Sequence, residues 1–159
     1  FDYSQIQLRV AAFLSKDEKL IEIFKSGRDI HTEVASQVFK VLPKNVDAEM
    51  RRRAKVINFG IIYGMGVNAL KQNLGTSRVE AQTFYNEYFA NFSGLARYLE
   101  GVKIDAYKNG YTETFFGRRL YFEGIKSKIP FIRASAERMA INAPIQGTEA
   151  DIIKFAMVL

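Results

Sequence analysis

The chain has 159 residues, which suits one domain with a hydrophobic core of its own. No apolar run approaches the roughly 20 residues that span a bilayer, so a membrane partner is not expected. The absence of cysteine excludes disulfides and thiolate metal sites and favours a cytoplasmic protein, while the net charge of +6 favours a polyanionic partner such as a nucleic acid.

The spacing of apolar residues predicts a mainly α-helical fold with minor β-structure (α+β). A short strand is predicted at 1–4, and helices follow at about 5–14, 17–26, 30–40, 48–64, 67–74, 77–91 and 93–108. The segment YTETFFGRRLYF at 111–122 alternates on both sides of Gly117, which predicts a β-hairpin. A long helix from about 131 to the end, bent near Pro144, completes the prediction.

Local signals indicate where several of these helices begin and end. Gly27, Gly75 and Gly110 each follow an apolar-periodic run, where a left-handed residue often closes a helix. Ser77 and Glu80 have the spacing of a capping box. These signals support the boundaries that the periodicity predicts.

The segment DAEMRRRAKVINFGIIYGMG, at 47–66, contains two cations followed by two aromatic residues. Arg51, Lys55, Phe59 and Tyr63 recur every four residues and therefore lie along one gently drifting helix face. Cations suit phosphate oxygens and aromatic faces suit a base or a sugar, so this face could hold a nucleotide with its triphosphate at the cations. The alternative is an ordinary surface helix with solvated cations and aromatic residues in the core.

Two glycines beside the aromatic residues favour the first interpretation. Gly60 and Gly64 each cost about 1 kcal/mol relative to alanine in a helix interior. Glycine at these positions permits the close approach of another group or a bend, and a simple surface helix needs neither.

These stretches resemble the motifs of a known family. RRRAKVINFGIIYG at 51–64 is similar to the R-x-x-x-K-x-x-x-F-G-x-x-Y-G signature in the fingers helix of family A DNA polymerases, the bacterial DNA polymerase I group. DYSQIQLR near the start resembles the family's first palm motif, DYSQIELR. The stretches GRDIHTEVASQVF, GYTETFFGRRLYF and AERMAINAPIQGTEADIIKFAM resemble its other motifs, in the family's order and spacing from residue 1 to 159.

The resemblance implies a fragment of a right-hand polymerase that transfers a nucleotide from a deoxynucleoside triphosphate to a primer 3′-hydroxyl. It assigns 1–25 to the palm, 26–130 to the fingers and 131–159 to the return to the palm. The expected partners are primer–template DNA, deoxynucleoside triphosphates and the rest of the polymerase chain, namely the thumb and the remaining palm. The full-length protein is expected to be a monomer.

The resemblance also implies a two-metal mechanism with Mg²⁺. Asp2 matches one of two palm aspartates that hold the ions, and the backbone carbonyl of Tyr3 is expected to join the metal shell. From the residues alone, Asp2 could equally be a carboxylate at a helix entry. The second aspartate belongs to an H-D-E motif that these 159 residues lack. We therefore expect this chain to be a piece of a longer protein and to have no polymerase activity by itself.

By the same resemblance, the incoming triphosphate contacts His31, Arg51 and Lys55. Lys55 is also the expected proton donor to the departing pyrophosphate, because an arginine holds its proton too firmly. Phe59 matches the position that packs against the sugar and base, and Tyr63 matches the residue that occupies the templating slot or closes beneath the new pair. For His31, the only histidine, the sequence alone leaves a structural role open.

Near the end of the chain, Arg138, Asn142 and Gln146 recur every four residues. All three carry side-chain donors, which suit the minor-groove acceptors that every Watson–Crick pair presents. The resemblance implies that they contact primer–template DNA, and the alternative is a solvated polar stripe. Arg52 is a further candidate for template contact, whereas Arg53 is expected to face solvent.

Gln7 departs from the family, which usually has glutamate at this position. That glutamate blocks the ribose 2′ position and hydrogen-bonds the tyrosine matched by Tyr63. Glutamine keeps the length and loses the charge, so we expect discrimination against ribonucleotides to persist in weakened form. The alternative role of Gln7 is to form a capping box with Ser4.

The sequence leaves two other functional classes open. The chain could be a non-catalytic nucleic-acid-binding module that retains the polymerase fold, or a purely structural helical domain. A template of RNA rather than DNA is not excluded by the residues.

Overall fold

The computed structural model of the chain describes residues 3–158. This part forms eight α-helices and a two-stranded sheet, and the fold class, mainly α with minor β, is confirmed. The helices are α1 (Ile6–Ser15), α2 (Glu18–Lys25), α3 (Ile30–Phe39), α4 (Ala48–Ile62), α5 (Val67–Leu74), α6 (Arg78–Asn91), α7 (Ser93–Asn109) and α8 (Pro130–Val158). Strands β1 (Tyr111–Glu113) and β2 (Arg119–Tyr121) lie between α7 and α8, and short 3₁₀ turns occur at Pro43–Asn45 and Glu123–Lys126.

The predicted strand at 1–4 is wrong for its second half, and its first half, with Asp2, lies outside the described residues. Ser4 and Gln5 form a turn in which the Ile6 N–H donates to the Tyr3 carbonyl at 3.1 Å. The capping box between Ser4 and Gln7 is also wrong. Gln5, in the left-handed region at φ 56°, is the N-cap of α1 and makes no side-chain capping bond.

The glycine stop signals and the capping box of α6 are confirmed. Gly75 and Gly110 adopt left-handed conformations directly after α5 and α7, and Gly27 does so one residue beyond the cap of α2. Ser77 and Glu80 exchange both bonds of the capping box. These features depend only on residues that are close in the sequence, so a local sequence pattern is enough to predict them.

Helix α4 ends two residues before its predicted end, in a Schellman motif. Gly64 has φ +78°, its N–H donates to the Ile61 carbonyl at 3.0 Å, and the Met65 N–H donates to the Gly60 carbonyl at 2.8 Å. The Met65 side chain then folds over Gly60, where a Cβ would lie 2.1 Å from the Met65 methyl. Gly60 therefore permits the close approach of the Met65 side chain, and Gly64 ends the helix.

One buried carboxylate holds two helix N-termini together. Asp17 is 3% exposed, and it accepts from the backbone N–H of Leu20 in α2 and of Leu95 in α7, both at 3.0 Å. Negative charge is favourable at a helix N-terminus, where backbone N–H groups lack helical partners. A Cβ on Gly94 would lie 2.7 Å from the Asp17 Cα, so glycine is required for this approach.

The main hydrophobic core lies between α1–α7 and the middle of α8. Its largest fully buried side chains include Tyr88, Phe92 and Leu8, and Ile145 is the buried residue that α8 contributes. A smaller cluster joins α7, the second 3₁₀ turn and the first half of α8 through Ala106, Ile125 and neighbouring alanines. Helix α8 therefore packs against both clusters.

The β-hairpin forms as predicted and is fastened to α8. Tyr111 pairs with Tyr121, and Gly117 has φ +83° in the turn. Arg118 donates to the Asp151 carboxylate at 2.9 Å and to the Gly147 carbonyl at 3.0 Å. This guanidinium is therefore committed to contacts within the fold.

Helix α8 runs through Pro144 without a break in its helical assignment. The proline has no N–H and cannot donate to the Ala140 carbonyl. The bend at this point stays a prediction. Within residues 3–158, no helix combines the length and apolar character that crossing a membrane requires.

Candidate functional site

Helices α3 and α4 pack together and place the predicted nucleotide-binding residues on one face. The rings of His31 and Phe59 lie 5.9 Å apart between centroids, and those of Phe59 and Tyr63 lie 6.2 Å apart. Arg51 and Lys55 continue the same face and are exposed. Both cations are close enough to His31 to disfavour its protonation. The four-residue spacing in α4 thus produces the stripe that the sequence predicted.

Asp29 organises the cationic end of this face. Its carboxylate accepts from the Thr32 backbone N–H at the start of α3 and from Gln5, each at 3.0 Å, and takes two bonds from the Arg51 guanidinium at 2.8 and 3.0 Å. Burial alone would raise the pKa of Asp29, but the hydrogen bonds from Arg51, Thr32 and Gln5 outweigh it and hold the pKa well below its usual range. The carboxylate therefore stays ionised and fixes Arg51.

Asp29 was not among the predicted site residues. Its position directly before a helix, with Thr32 three residues later, is a capping signal that could have identified it. Its bond to Arg51, 22 residues away, has no local signal.

His31 is buried, with 1% of its surface exposed, and its hydrogen bonding determines which ring nitrogen carries the proton. The Asn58 side-chain amide donates to Nδ1 at 3.0 Å, and the Tyr88 hydroxyl donates to the Asn58 carbonyl oxygen at 3.1 Å. Burial, together with Arg51 and Lys55 and against the opposing charge of Asp29, lowers the pKa of His31 to about 4. Nδ1 is thus the acceptor and Nε2 carries the proton in the neutral ring.

The Nε2 atom of His31 has no hydrogen-bond partner among the described residues. A buried donor without a partner is costly, and a ligand acceptor would relieve that cost. Asn58 and Tyr88 support the ring from behind. Tyr88, 30 residues beyond Asn58, carried no sequence signal for this role.

Gln7, Tyr63 and Glu149 form a second connected group beside the aromatic end of the stripe. The Tyr63 hydroxyl donates to the Gln7 side-chain oxygen. The Gln7 amide nitrogen donates to the Glu149 carboxylate at 2.7 Å. The contact between Gln7 and Tyr63 fits the expectation from the resemblance, whereas Glu149 was missed. The predicted residue Gln146 lies three residues before Glu149 on α8. The bond from Glu149 to Gln7, however, spans 142 residues and has no local sequence signal.

The residues predicted to contact DNA lie along α8. Arg138 and Gln146 are exposed and Asn142 is half-buried, with its Oδ1 lacking a partner among the described residues. Arg138 lies against the end of α4, because a Cβ on Gly64 would be 3.0 Å from the Arg138 Cγ. The polar stripe of α8 therefore starts beside Tyr63 and its glycine.

The two arginines that follow Arg51 have different surroundings. Arg52 is exposed and pairs with Glu49 at 2.6 Å, one turn away. The expectation that Arg53 faces solvent is wrong. Its guanidinium donates to the backbone carbonyls of Asn73 and Leu74 at the end of α5 and lies 5.2 Å from the centre of the Phe39 ring. The carbonyls at a helix C-terminus lack helical partners, which makes them good acceptors for a cation.

The described residues do not by themselves form a metal site. Within 3–158, no three acidic or histidine side chains are grouped closely enough to hold an ion. The Tyr3 carbonyl is available only as an acceptor that already binds the Ile6 N–H, and Asp2 lies outside the described range. One carboxylate and one carbonyl have the oxygen chemistry that Mg²⁺ prefers, but they are too few for its octahedral shell.

Comparison with known proteins identifies the family. The model of DNA polymerase family A matches residues 1–159, the whole chain. The chain belongs to DNA polymerase family A. Its resemblance to that family's motifs is confirmed, as is the expectation of a fragment of a polymerase fold.

Individual family A polymerases align with nearly the whole chain. It is 48% identical over 157 residues to DNA polymerase I of Geobacillus stearothermophilus and 50% identical over 157 residues to the thermostable DNA polymerase I of Thermus aquaticus. These alignments cover 99% of this chain but only 18% and 19% of the relatives. The chain thus spans under a fifth of the length of these polymerases.

A solved family A structure has the same fold. The POL domain of Pol1 from M. smegmatis, in complex with DNA primer-template and dNTP, superposes with a TM-score of 0.93 and 46% sequence identity. The superposition covers 99% of this chain and 28% of that one.

Proposed function

We propose that this chain is part of a DNA-directed DNA polymerase that transfers a nucleotide from a deoxynucleoside triphosphate to a primer 3′-hydroxyl. The observation that carries the proposal is the face formed by α3 and α4, in a chain of the polymerase family. On that face, two exposed cations, a buried histidine whose N–H has no partner within residues 3–158, and two aromatic rings follow one another. This order matches the triphosphate, sugar and base of a nucleotide.

The triphosphate lies at the cationic end in this proposal. Arg51 is presented in a fixed orientation by Asp29, and the guanidinium fork suits two phosphate oxygens. The neutral His31 offers its Nε2–H to a phosphate oxygen, because Asn58 occupies its other nitrogen. A neutral donor is available at every pH above about 4.

Lys55 completes the triphosphate site and acts in the chemical step. As the primer 3′-hydroxyl loses its proton to solvent and its oxygen bonds to the α-phosphorus, the bond to the bridging oxygen breaks and pyrophosphate leaves. The Lys55 ammonium neutralises this leaving group and transfers a proton to it. The side chain is exposed and one helical turn from Arg51, so it can reach the same phosphate chain.

Phe59 and Tyr63 form the part of the site that faces the sugar and the base. Phe59 packs against the incoming nucleotide, and Tyr63 lies at the templating position. Gln7, which bonds the Tyr63 hydroxyl, stands at the ribose 2′ position and hinders a ribonucleotide. Aromatic faces accept every base with similar energy, as a template-copying enzyme requires.

The DNA lies along α8, with Arg138, Asn142 and Gln146 toward its minor groove and Arg52 toward the template. Donors in this groove meet purine N3 and pyrimidine O2 at nearly equivalent positions in every pair. They can therefore test the geometry of a pair without reading its sequence. The exposure of Arg138 and Gln146 on α8 supports this arrangement.

Family membership implies the use of a divalent metal, which neutralises phosphate charge when bound. We propose more specifically that Asp2 and the Tyr3 carbonyl are part of the ligand set for two Mg²⁺ ions. Among the described residues, no group of three acidic or histidine side chains completes this set. We further propose the division into palm at 1–25, fingers at 26–130 and palm again at 131–159, and a monomeric full-length enzyme.

Primer extension tests the proposal. The full-length protein that contains this chain should extend a primer on a DNA template with deoxynucleoside triphosphates and Mg²⁺, and Asp2→Ala should abolish extension. The isolated 159-residue chain should be inactive. Salt-dependent binding of primer–template by the full-length protein without any extension would overturn the enzymatic proposal in favour of a non-catalytic binding module.

A further inference from the structure

A hydrogen-bonded chain of three side chains joins three helices next to the aromatic stripe. Tyr63, the C-cap of α4, donates to the side-chain oxygen of Gln7 in α1. The Gln7 amide nitrogen then donates to Glu149 in α8 at 2.7 Å. All three side chains are half-buried, so these bonds are partly shielded from water.

Glu149 determines which way the Gln7 amide points. A carboxylate can only accept, so the amide nitrogen must face Glu149 and the amide oxygen must face the Tyr63 hydroxyl. The opposite orientation would place an amide oxygen against a carboxylate oxygen at 2.7 Å, which is repulsive. Without Glu149, the amide could rotate, because a tyrosine hydroxyl can either donate or accept.

Glu149 also distinguishes between glutamine and glutamate at position 7. A glutamate there would place two carboxylates in direct contact, and these would either repel each other or have to share a proton. An amide suits the position because it accepts from Tyr63 on one side and donates to Glu149 on the other. The amide at position 7 and the carboxylate at 149 are therefore matched to each other.

We propose that Glu149 is a positioning residue for sugar selection, which acts by holding the Gln7 side chain in place. The inference rests on the proposed function, in which Gln7 stands at the ribose 2′ position. A side chain excludes an extra hydroxyl only while it is held where that hydroxyl would lie. Glu149 touches neither sugar nor phosphate in this scheme and contributes through Gln7.

The test compares ribonucleotide and deoxynucleotide incorporation by the full-length polymerase. Glu149→Ala should raise kcat/KM for ribonucleotides about fivefold, the equivalent of one ordinary hydrogen bond of about 1 kcal/mol. It should change kcat/KM for deoxynucleotides less than about twofold, because no contact to the deoxynucleotide is lost. A merely structural defect would instead lower both values.

Two further variants separate positioning from a general loss of structure. Glu149→Gln keeps an acceptor oxygen for the Gln7 amide and should retain most of the discrimination. In a Gln7→Glu background, the effect of Glu149→Ala on discrimination against ribonucleotides should have the opposite sign. There, Glu149→Ala removes a repelling carboxylate and should increase discrimination against ribonucleotides. Equal effects of Glu149→Ala in both backgrounds would overturn the inference.

Glu137→Ala is the matched control, because Glu137 is another half-buried glutamate of α8 and pairs with Lys103 at 3.7 Å, away from Gln7. It should leave discrimination unchanged. If the unmodified polymerase incorporates deoxynucleotides but Glu149→Ala leaves discrimination unaltered, the positioning role is wrong and the proposed function stands. If the unmodified protein incorporates no nucleotide at all, the proposed function itself fails.

Discussion

Asn58 donates a hydrogen bond to Nδ1 of His31 over 3.0 Å within the core, and this bond determines which ring nitrogen carries the proton. Tyr88 donates in turn to the Asn58 oxygen, so the amide cannot rotate without breaking both bonds. Burial keeps the only histidine of the chain neutral, and its Nε2–H lacks a partner in the described structure.

Stability should fall as the pH drops through the range in which the unfolded histidine takes up a proton. The pKa of His31 is lowered from 6.5 to about 4 in the folded chain, so between these values the unfolded state binds more protons. His31 should therefore cost roughly 2–3 kcal/mol of stability between pH 7 and pH 4, because the buried ring stays largely neutral in the folded chain. Urea denaturation of the protein and of His31→Gln at several pH values measures this, and the variant should show the shallower decline.

The near-isosteric variant Asn58→Asp tests whether the side chain that faces Nδ1 can shift the pKa of His31. A carboxylate facing Nδ1 favours the imidazolium, so the pKa of His31 should rise by at least about one unit. An NMR titration of the imidazole signals measures it. An unchanged pKa would show that the side chain at position 58 does not face Nδ1 of His31.

Asp29→Asn should lower the free energy of unfolding more than Asp47→Asn does, although both aspartates cap helices. Asp47 accepts from the Met50 N–H at 2.8 Å, and Asp29 holds Arg51 in addition to its capping bond. Asparagine keeps a capping oxygen in both cases. At pH 7 the loss of unfolding free energy should be about 1 kcal/mol larger for Asp29→Asn than for Asp47→Asn. This difference is the net contribution of the charged hydrogen bonds to Arg51 after solvent screening.

The pH dependence of this difference has a defined sign. The pKa of Asp29 is lowered on folding, so its contribution is complete well above the ordinary value of 3.8 and is lost as the pH falls below it. The difference between the unfolding free energies of the two variants should therefore stay constant from about pH 7 to about pH 5 and shrink as the pH falls from about 4 to about 2. A gap that stays constant with pH would show that the charge of Asp29 is not the cause.

The sequence predicted the helices and their ends because the responsible signals are local. Gly75, Gly110 and the Ser77–Glu80 box act within one or two turns, and all three behave as expected. The errors occurred where a distant partner outweighed a local preference. Gln7 has the spacing of a capping residue, yet it bonds to Tyr63 and Glu149, which are 56 and 142 residues away.

For the candidate site, the four-residue spacing was enough to place Arg51, Lys55, Phe59 and Tyr63 on one face. It could not reveal what holds them. Asp29 reaches Arg51 from another helix, and Asn58 supports His31 across 27 residues. Side chains that orient other side chains carry no periodic pattern, and only the packing of α3 against α4 brings them together.

Gly64→Ala should destabilise the fold far more than Gly60→Ala does. Gly64 has φ +78°, which is unfavourable for alanine, and a Cβ there would press on Arg138. We expect a loss of about 1–3 kcal/mol. At Gly60 the obstacle is the flexible end of Met65, which can move, and alanine recovers up to about 1 kcal/mol of helix propensity. Thermal unfolding of the two variants compares them, and similar losses would contradict the Schellman termination of α4.

Exchanging the two cations of α4 should separate binding from proton transfer. Lys55→Arg keeps the positive charge but holds its proton too firmly to release it, so kcat should fall about 100-fold or more. Arg51→Lys keeps the charge but loses the fork that pairs with Asp29 and grips phosphate, so KM for the deoxynucleotide should rise with a smaller change in kcat.

Single-turnover kinetics of the full-length polymerase distinguish these effects, because they separate nucleotide binding from the chemical step. The kcat deficit of Lys55→Arg should depend on pH differently from the unmodified enzyme, since the titrating donor is gone. If Lys55→Arg instead raised KM and left kcat intact, Lys55 would be only a binding residue, and the proton for the leaving pyrophosphate would have to come from another group.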